Sequence, residues 1–215
     1  MKKLFFALVL MLPLMAVAKK PIDAKYLKGG VPEENGIIVF RKSFSIPNMQ
    51  TEQIFSTLTQ YVNQKILGPA IHEYRTRITS DGKEDGVIVA KVEEYMTFGH
   101  VTFLKLDRTR FIYQLQAQVE SNKVKLAISQ ISYYYNEDMD GKNGETYKGE
   151  EWITDSRALN KKGTKLYPYC GKFRKKTIDR VEQIFEECMD AFEEKANTPT
   201  EEVPAKKVRK NIVED

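Results

Sequence analysis

The chain has 215 residues, with 34 Lys and Arg against 30 Asp and Glu, a formal net charge of +4 and 41% hydrophobic residues. This length is sufficient for one domain with a sizeable core. The near balance of charge argues against a nucleic-acid-binding protein, because such proteins carry a clearly basic field. We therefore expect no nucleic acid among its partners.

The first 18 residues have the three parts of a bacterial export signal. A positive start at Lys2 and Lys3 precedes an apolar stretch over 4–12, and Ala16-Val17-Ala18 follows. Signal peptidase cleaves such small-x-small endings, and the apolar stretch is shorter than the ~20 residues that span a bilayer. The sequence predicts a Sec-type signal peptide cleaved after Ala18, with a membrane anchor as the alternative. The mature protein is expected in the periplasm or outside the cell, without a membrane span.

The mature chain begins with a stretch of little periodicity over 19–35, which predicts a flexible N-terminal arm. Alternating hydrophobic residues then predict a strand over 37–46. Hydrophobic residues at helical spacing predict a helix over 54–66, with Asn48 or Thr51 as its cap.

Three more strands follow this helix in the pattern. They are rich in alternating or β-branched residues, and Gly99 is expected to separate the last two. Their predicted ranges are 72–80, 86–96 and 100–106.

The clearest pattern is a hairpin made by 109–120 and 123–135. The first strand alternates hydrophobic and polar residues, as a half-buried antiparallel strand does. In the second strand the hydrophobic positions are even up to Ile128 and odd from Ile131 onward. One extra residue near Ser129-Gln130 restores the face, so the sequence predicts a β-bulge there.

Periodicity fails over 136–172, which predicts a long loop insertion in a single domain spanning 36–196. A strong apolar stripe then predicts a final helix over 177–192. Its start is placed near Thr177 because the cations of Arg174-Lys175-Lys176 oppose the dipole of a helix N-terminus. Residues 197–215 are rich in Pro and charge and are predicted to be a disordered tail.

These elements predict an α+β fold. Successive strands joined by tight turns make an antiparallel β-sheet of about five to six strands, in the order β-α-β-β-β-β-β-α. Two amphipathic helices pack on one face of that sheet, because each has one apolar face to bury.

Residues 37–135 resemble an exported bacterial family, the domain of unknown function 4468, which has a TBP-like fold. The resemblance implies the fold, an envelope or secreted location and no established activity. It does not imply DNA binding, because function depends on sites and not on folds. The matching features are the strand 37–46, the helix with Ile54-Phe55, the strand with Gly86-Val87-Ile88-Val89, the hairpin from Tyr113 to Tyr133 and the closing helix 177–192.

An acidic stretch beginning at Asn136 partly follows the spacing of a calcium-binding loop. Alternate oxygen-bearing residues and a correctly placed Gly141 match that pattern, but position twelve is Tyr147 and lacks a carboxylate. The alternative is an acidic turn without metal, and we expect no cofactor. The candidate ligands are Asp138, Asp140, Asn143 and Glu145.

Four aromatic residues are candidate binding anchors in 136–172, because Trp and Tyr bury a large area at low entropic cost. The alternative is that these rings hold the loop against the sheet. The four are Tyr147, Trp152, Tyr167 and Tyr169.

The two cysteines, Cys170 and Cys188, leave a disulfide open at this point. A continuous helix from Phe173 would forbid the bond, because bridged Cα atoms lie within ~7 Å. A helix beginning at Thr177 or later would leave enough slack. Cys188 also lies on the apolar stripe, where a free Cys packs as a small hydrophobe.

No catalytic motif accompanies the two histidines, His72 and His100. The short basic clusters at Lys161-Lys162 and Arg174-Lys175-Lys176 are interpreted as solvated residues, with an anionic lipid or polysaccharide contact as the alternative. We therefore expect a non-enzymatic exported binding or scaffold domain acting through 136–172, with an envelope protein or a small ligand as partner. The alternatives are a small-ligand or lipid binder between sheet and helices, and a hydrolase built on carboxylates.

Overall fold

The computed structural model of the protein describes residues 21–68, 77–82, 85–102, 105–137 and 143–197. The predicted signal peptide, the tail beyond Asn197 and His72 lie outside these residues. The strands of the described residues are β1 (Glu33–Glu34), β2 (Ile37–Ile38), β3 (Phe40–Ser45), β4 (Arg77–Gly82), β5 (Val87–Thr102), β6 (Lys105–Glu120), β7 (Lys123–Tyr135) and β8 (Glu145–Lys148). The helices are α1 (Thr51–Tyr61), α2 (Gly149–Trp152), α3 (Asp155–Ala158) and α4 (Pro168–Asn197).

Six of these strands form one antiparallel sheet in the order β3-β7-β6-β5-β4. The sixth strand, β8, pairs with the end of β7 on the same edge as β3. The predicted α+β class and the antiparallel sheet are therefore confirmed, although β8 was not among the predicted strands. A separate two-stranded sheet is formed by β1 and β2.

The β6–β7 hairpin has the predicted bulge. Ile112 faces Ser132 whereas Gln114 faces Ser129, so one extra residue lies in β7. Gln130 takes up that residue with a positive φ of 53°. Both halves of β7 therefore point their hydrophobic side chains into the core, as their burial pattern shows.

The prediction that Gly99 ends a strand is wrong. Strand β5 continues through Gly99 to Thr102, and β6 begins at Lys105, so no separate strand occupies 100–106. The register between β5 and β6 shifts between Thr97 and Gly99. Glycine here accommodates an irregularity within a long strand, a common position for it in sheets.

The N-cap of helix α1 is neither of the two predicted residues, Asn48 and Thr51. Gln50 is the N-cap, and its backbone N–H donates to the side chain of Gln53 at 3.3 Å. Asn48 lies in the preceding turn with a φ of 64°, and Thr51 is already helical. The helix continues as a π-helical turn over Val62–Ile66.

Helix α4 begins at Pro168, nine residues before the predicted start at Thr177. Proline is favoured at the first helical position because it needs no hydrogen-bond partner for its nitrogen. The basic residues Arg174 to Lys176 therefore lie inside the helix and do not face its N-terminal dipole.

The two long helices pack on one face of the sheet, as predicted. That face of β6 is completely buried along Phe111, Tyr113 and Leu115. The Tyr61 hydroxyl of α1 donates to the carbonyl of Ile184 in α4 at 2.8 Å, which joins the helices. The opposite face of β6 carries polar side chains such as Gln114, Gln116 and Gln118.

The described part of the predicted N-terminal arm is docked on α4. The Tyr26 hydroxyl donates to Asp179 at 2.6 Å, and the Lys25 ammonium lies 2.6 Å from Glu182. Val31 belongs to the core. The prediction of a flexible arm is therefore wrong for residues 21–35, because these contacts offset the entropy of ordering them.

Candidate recognition surface

Residues 143–167, called here the cap segment, cover one end of the sheet. The prediction of an unstructured loop is wrong for these residues, since they contain β8, α2 and α3. The segment lacks hydrophobic periodicity because each of these elements has only four residues. Among the described residues, no helix is both long and apolar enough to cross a membrane.

Trp152 attaches the cap segment to the sheet. Its side chain is buried, and its ring stacks on Tyr147 at 4.2 Å between centroids. The opposite contact is with Phe173 of α4, edge to face at 4.4 Å. Burial of a tryptophan in such a cluster contributes several kcal/mol, as truncations of buried aromatic residues show. Trp152 therefore holds the segment against the sheet, which was the alternative to a role as a binding anchor.

Tyr169 and Tyr167 differ from Trp152 because about half of each remains exposed. The exposed fractions are 49% for Tyr169 and 46% for Tyr167. The ring of Tyr169 is supported from behind by Trp152 at 5.3 Å and Tyr135 at 6.1 Å. The structure therefore brings three of the four predicted aromatic anchors into one stacked group and leaves Tyr167 and Tyr169 accessible to a partner.

Beside this aromatic group lies a partly buried ion pair that sequence reasoning missed. The Lys172 ammonium lies 2.6 Å from Asp107 and 2.9 Å from the Tyr135 hydroxyl, which itself donates to Asp107. The ammonium also lies 4.6 Å from the centroid of Phe98. Burial, together with the hydrogen bond to Asp107, raises the pKa of Tyr135 above its ordinary value, so the phenol stays protonated.

The calcium prediction is only partly within the described residues. Asp138 and Asp140 lie outside them, and Asn143 is exposed. Glu145 accepts a hydrogen bond from the Tyr147 hydroxyl, and this bond, with burial, raises the pKa of Tyr147 to about 12. The described residues contain no group of three carboxylate, His or Cys side chains placed to hold a metal ion.

Arg174, interpreted from sequence as a solvated residue, is completely buried. Its guanidinium donates to the carbonyl oxygens of Tyr26, Leu27 and Ile153 at 2.5 to 2.7 Å and to the Asp155 carboxylate at 2.7 Å. Burial lowers its pKa while the Asp155 bond opposes that shift. Arg174 thereby joins the N-terminal segment, the cap segment and α4.

The two cysteines are free. Both lie in α4, where their separation of 18 positions along the chain places their Cα atoms ~27 Å apart. A disulfide between them is therefore excluded, because the helix begins before Cys170 and leaves no slack between the two cysteines. Burial raises the pKa of the Cys188 thiol to about 12, as expected for a core cysteine.

Two grooves on the described surface bear on the predicted small-ligand or lipid site between sheet and helices. The groove between α1 and α4 has a volume of about 180 Å³, below the ~300 Å³ of typical ligand pockets. A larger groove of about 370 Å³ lies over Arg41, Ala127 and Gln116, on the face of the sheet away from the helices.

The carboxylates nearest the core are bound to cations, which does not favour a pair of catalytic acids. Glu94 accepts hydrogen bonds from Nε and Nη2 of Arg180 at 2.8 and 2.9 Å. Glu93 lies 2.7 Å from Arg110.

Comparison with known proteins gives a consistent fold. The sequence profile of a family described as "Domain of unknown function (DUF4468) with TBP-like fold" matches residues 40–134. A crystal structure of a DUF4468 family protein from Bacteroides ovatus ATCC 8483 is similar, with a TM-score of 0.73 and 34% identity over 85% of this chain and 99% of that one. A TBP-like protein from Parabacteroides distasonis ATCC 8503 has a TM-score of 0.62 and 21% identity over 76% and 97% of the respective chains. No curated protein matches this chain.

Proposed function

This chain belongs to the DUF4468 family with TBP-like fold, and we propose that it is an exported, non-enzymatic binding domain of the cell envelope. Its recognition surface is the outer side of the cap segment with the first turn of α4. Export is supported by the charged, apolar and Ala16-Val17-Ala18 parts of the first 18 residues.

The observation that carries this proposal is the exposure of two tyrosines on a rigid support. Tyr167 and Tyr169 are 46% and 49% exposed. The ring of Tyr169 rests on the packed rings of Trp152 and Tyr135, and the backbone N–H of Tyr167 donates to Ala158 at 2.8 Å. Binding hot spots are enriched in such residues, because an ordered ring buries area without much further loss of entropy. A partner that covers both rings would gain from their pre-organisation.

The buried carboxylates form ion pairs with arginine, and this favours a binding role over hydrolysis. A general acid or base needs a carboxylate whose proton affinity suits proton transfer. The buried Glu94 side chain instead forms a bidentate ion pair with Arg180, which is a structural arrangement.

The test is affinity capture from solubilised envelope extract with immobilised residues 19–215. Replacement of the whole segment by a linker is unsuitable, because it would expose the core behind Trp152. The informative variant is Tyr167→Ala/Tyr169→Ala, which removes two half-exposed rings and leaves Trp152 in place. Its melting temperature is compared with that of the wild type. The matched control is Ile22→Ala/Ile37→Ala, which removes two exposed apolar side chains elsewhere.

We expect a partner that the wild type and the control retain and that the tyrosine variant loses. Loss of two hot-spot residues corresponds to at least about a thirtyfold weaker affinity. Equal capture by the tyrosine variant, with unchanged melting temperature, would contradict the proposed recognition surface.

A further inference from the structure

The polypeptide from Ser156 to Ile178 contains eight cationic and no acidic residues. These cations are Arg157, Lys161, Lys162, Lys165, Lys172, Arg174, Lys175 and Lys176. Carboxylates from elsewhere in the chain neutralise two of them, since Lys172 pairs with Asp107 and Arg174 with Asp155. Of the six that remain, Lys161, Lys162 and Lys165 lie between α3 and α4.

Residues 159–166, called here the basic loop, are closed and braced by hydrogen bonds within the loop. Its base is closed by a β-bridge between Leu159 and Leu166. Within it, the Asn160 side-chain oxygen accepts the backbone N–H groups of Thr164 and Lys165 at 2.8 and 3.0 Å. Gly163 completes the turn with a φ of 69°, which suits glycine.

The lysines of this loop point to solvent. Lys161, Lys162 and Lys165 are exposed, and none forms an ion pair with another residue of the described chain. Lys28 joins them, because its backbone N–H donates to Gly163 at 3.4 Å. By contrast, Lys25 of the same N-terminal segment is bound to two carboxylates.

The exposed tyrosines lie directly beside this charge. Tyr167 follows the bridge that closes the loop, and its backbone N–H donates to Ala158 at 2.8 Å. Tyr169 lies in the first turn of α4. Lysines projecting from a protruding turn, with tyrosine rings at its base, combine the two features that attach proteins to the surface of anionic bilayers.

We propose that this basic face, formed by Lys28, Lys161, Lys162, Lys165, Tyr167 and Tyr169, docks on an anionic phospholipid bilayer. The inference rests on the proposed function and names the partner of its recognition surface. The lysines of the basic loop are exposed in a turn and belong to neither of the two grooves described above, so they suit a broad anionic surface better than a single acidic chain. The ammonium groups meet lipid phosphates, and the tyrosine rings lie at the level of the headgroups.

The test is co-sedimentation of residues 19–215 with vesicles of mixed phosphatidylglycerol and phosphatidylcholine, compared with phosphatidylcholine alone. The variant is Lys161→Glu/Lys162→Glu. The matched control is Lys42→Glu/Lys91→Glu, which makes the same change of net charge at exposed lysines of the sheet. We expect wild type and control to bind the anionic vesicles, and the loop variant to bind roughly thirtyfold or more weakly. High salt should release the wild type, because these charges are exposed.

Three outcomes would overturn the inference. They are no binding of the wild type to anionic vesicles, equal loss in both variants, and retention on a soluble acidic polysaccharide without retention on vesicles. If the protein does not bind anionic vesicles but its capture from envelope extract still depends on Tyr167 and Tyr169, the proposed function stands and only the lipid partner is wrong. If capture is independent of the tyrosines, the recognition surface itself is wrong.

Discussion

Arg174 joins three parts of the chain that are far apart in sequence. Four of its five N–H groups donate to the three carbonyl oxygens and the Asp155 carboxylate around it. The second oxygen of Asp155 accepts the backbone N–H of Gly29, so the same carboxylate also fixes the N-terminal segment. A charge buried this completely is tolerated only because its hydrogen bonds are satisfied.

Arg174→Met is expected to lower the free energy of unfolding by about 3 kcal/mol or more, because three buried carbonyls and a carboxylate lose their donor. The measurement is urea unfolding followed by circular dichroism. Lys176→Met is the matched control, since Lys176 is exposed on the same helix. A loss for Arg174→Met no larger than for the control would show that these bonds do not stabilise the fold.

The burial of Arg174 and its hydrogen-bond partners could not be predicted from the sequence. Its partners at positions 26, 27, 153 and 155 are distant in sequence, and backbone carbonyls leave no residue-type signal. The same limit explains the missed ion pair between Lys172 and Asp107. One signal was available in the sequence. Residues 156–178 contain many cations and no acidic residue, so any of these cations that is buried must pair with a carboxylate from another part of the chain.

At the scale of elements, the strands were predictable where one face is buried and the other is exposed to solvent, because their hydrophobic and polar residues then alternate. The change from Ile128 to Ile131 in β7 located the bulge, because a one-residue slip moves every side chain to the other face. The cap segment gave no such signal, since elements of four residues complete only one helical turn or two strand repeats. For α4, Pro168 was the informative residue, and the basic cluster that followed was misleading.

The basic loop offers a test of its packed geometry. Gly163 has a φ of 69°, and a Cβ there would approach the Cβ of Lys28 to 2.8 Å. Gly163→Ala is expected to lower the free energy of unfolding by about 1 to 2 kcal/mol, through backbone strain and lost contact with Lys28.

Gly29→Ala is the control for this prediction, because Gly29 has a φ of 84° but open space around it. Chemical denaturation of both variants separates strain from crowding. A cost for Gly163→Ala no greater than that for Gly29→Ala would mean that the basic loop does not pack closely on the N-terminal segment.

At the scale of the molecule, one face of the sheet holds the two long helices, and the cap segment closes an end where rings from β7, α2 and α4 meet. The exposed tyrosines and unpaired lysines stand on this framework. Their proposed role depends on the cap segment being a folded part of the domain, because a flexible loop would lose binding free energy to ordering.

The most direct measurement of this claim is hydrogen exchange of residues 19–215, followed by mass spectrometry. Ile153, Leu159 and Tyr167 donate backbone hydrogen bonds within the cap segment at 2.8 to 3.2 Å. The account predicts that their amides exchange almost as slowly as those of β6, since both open with the cooperative core. Complete exchange of these amides while β6 stays protected would contradict it.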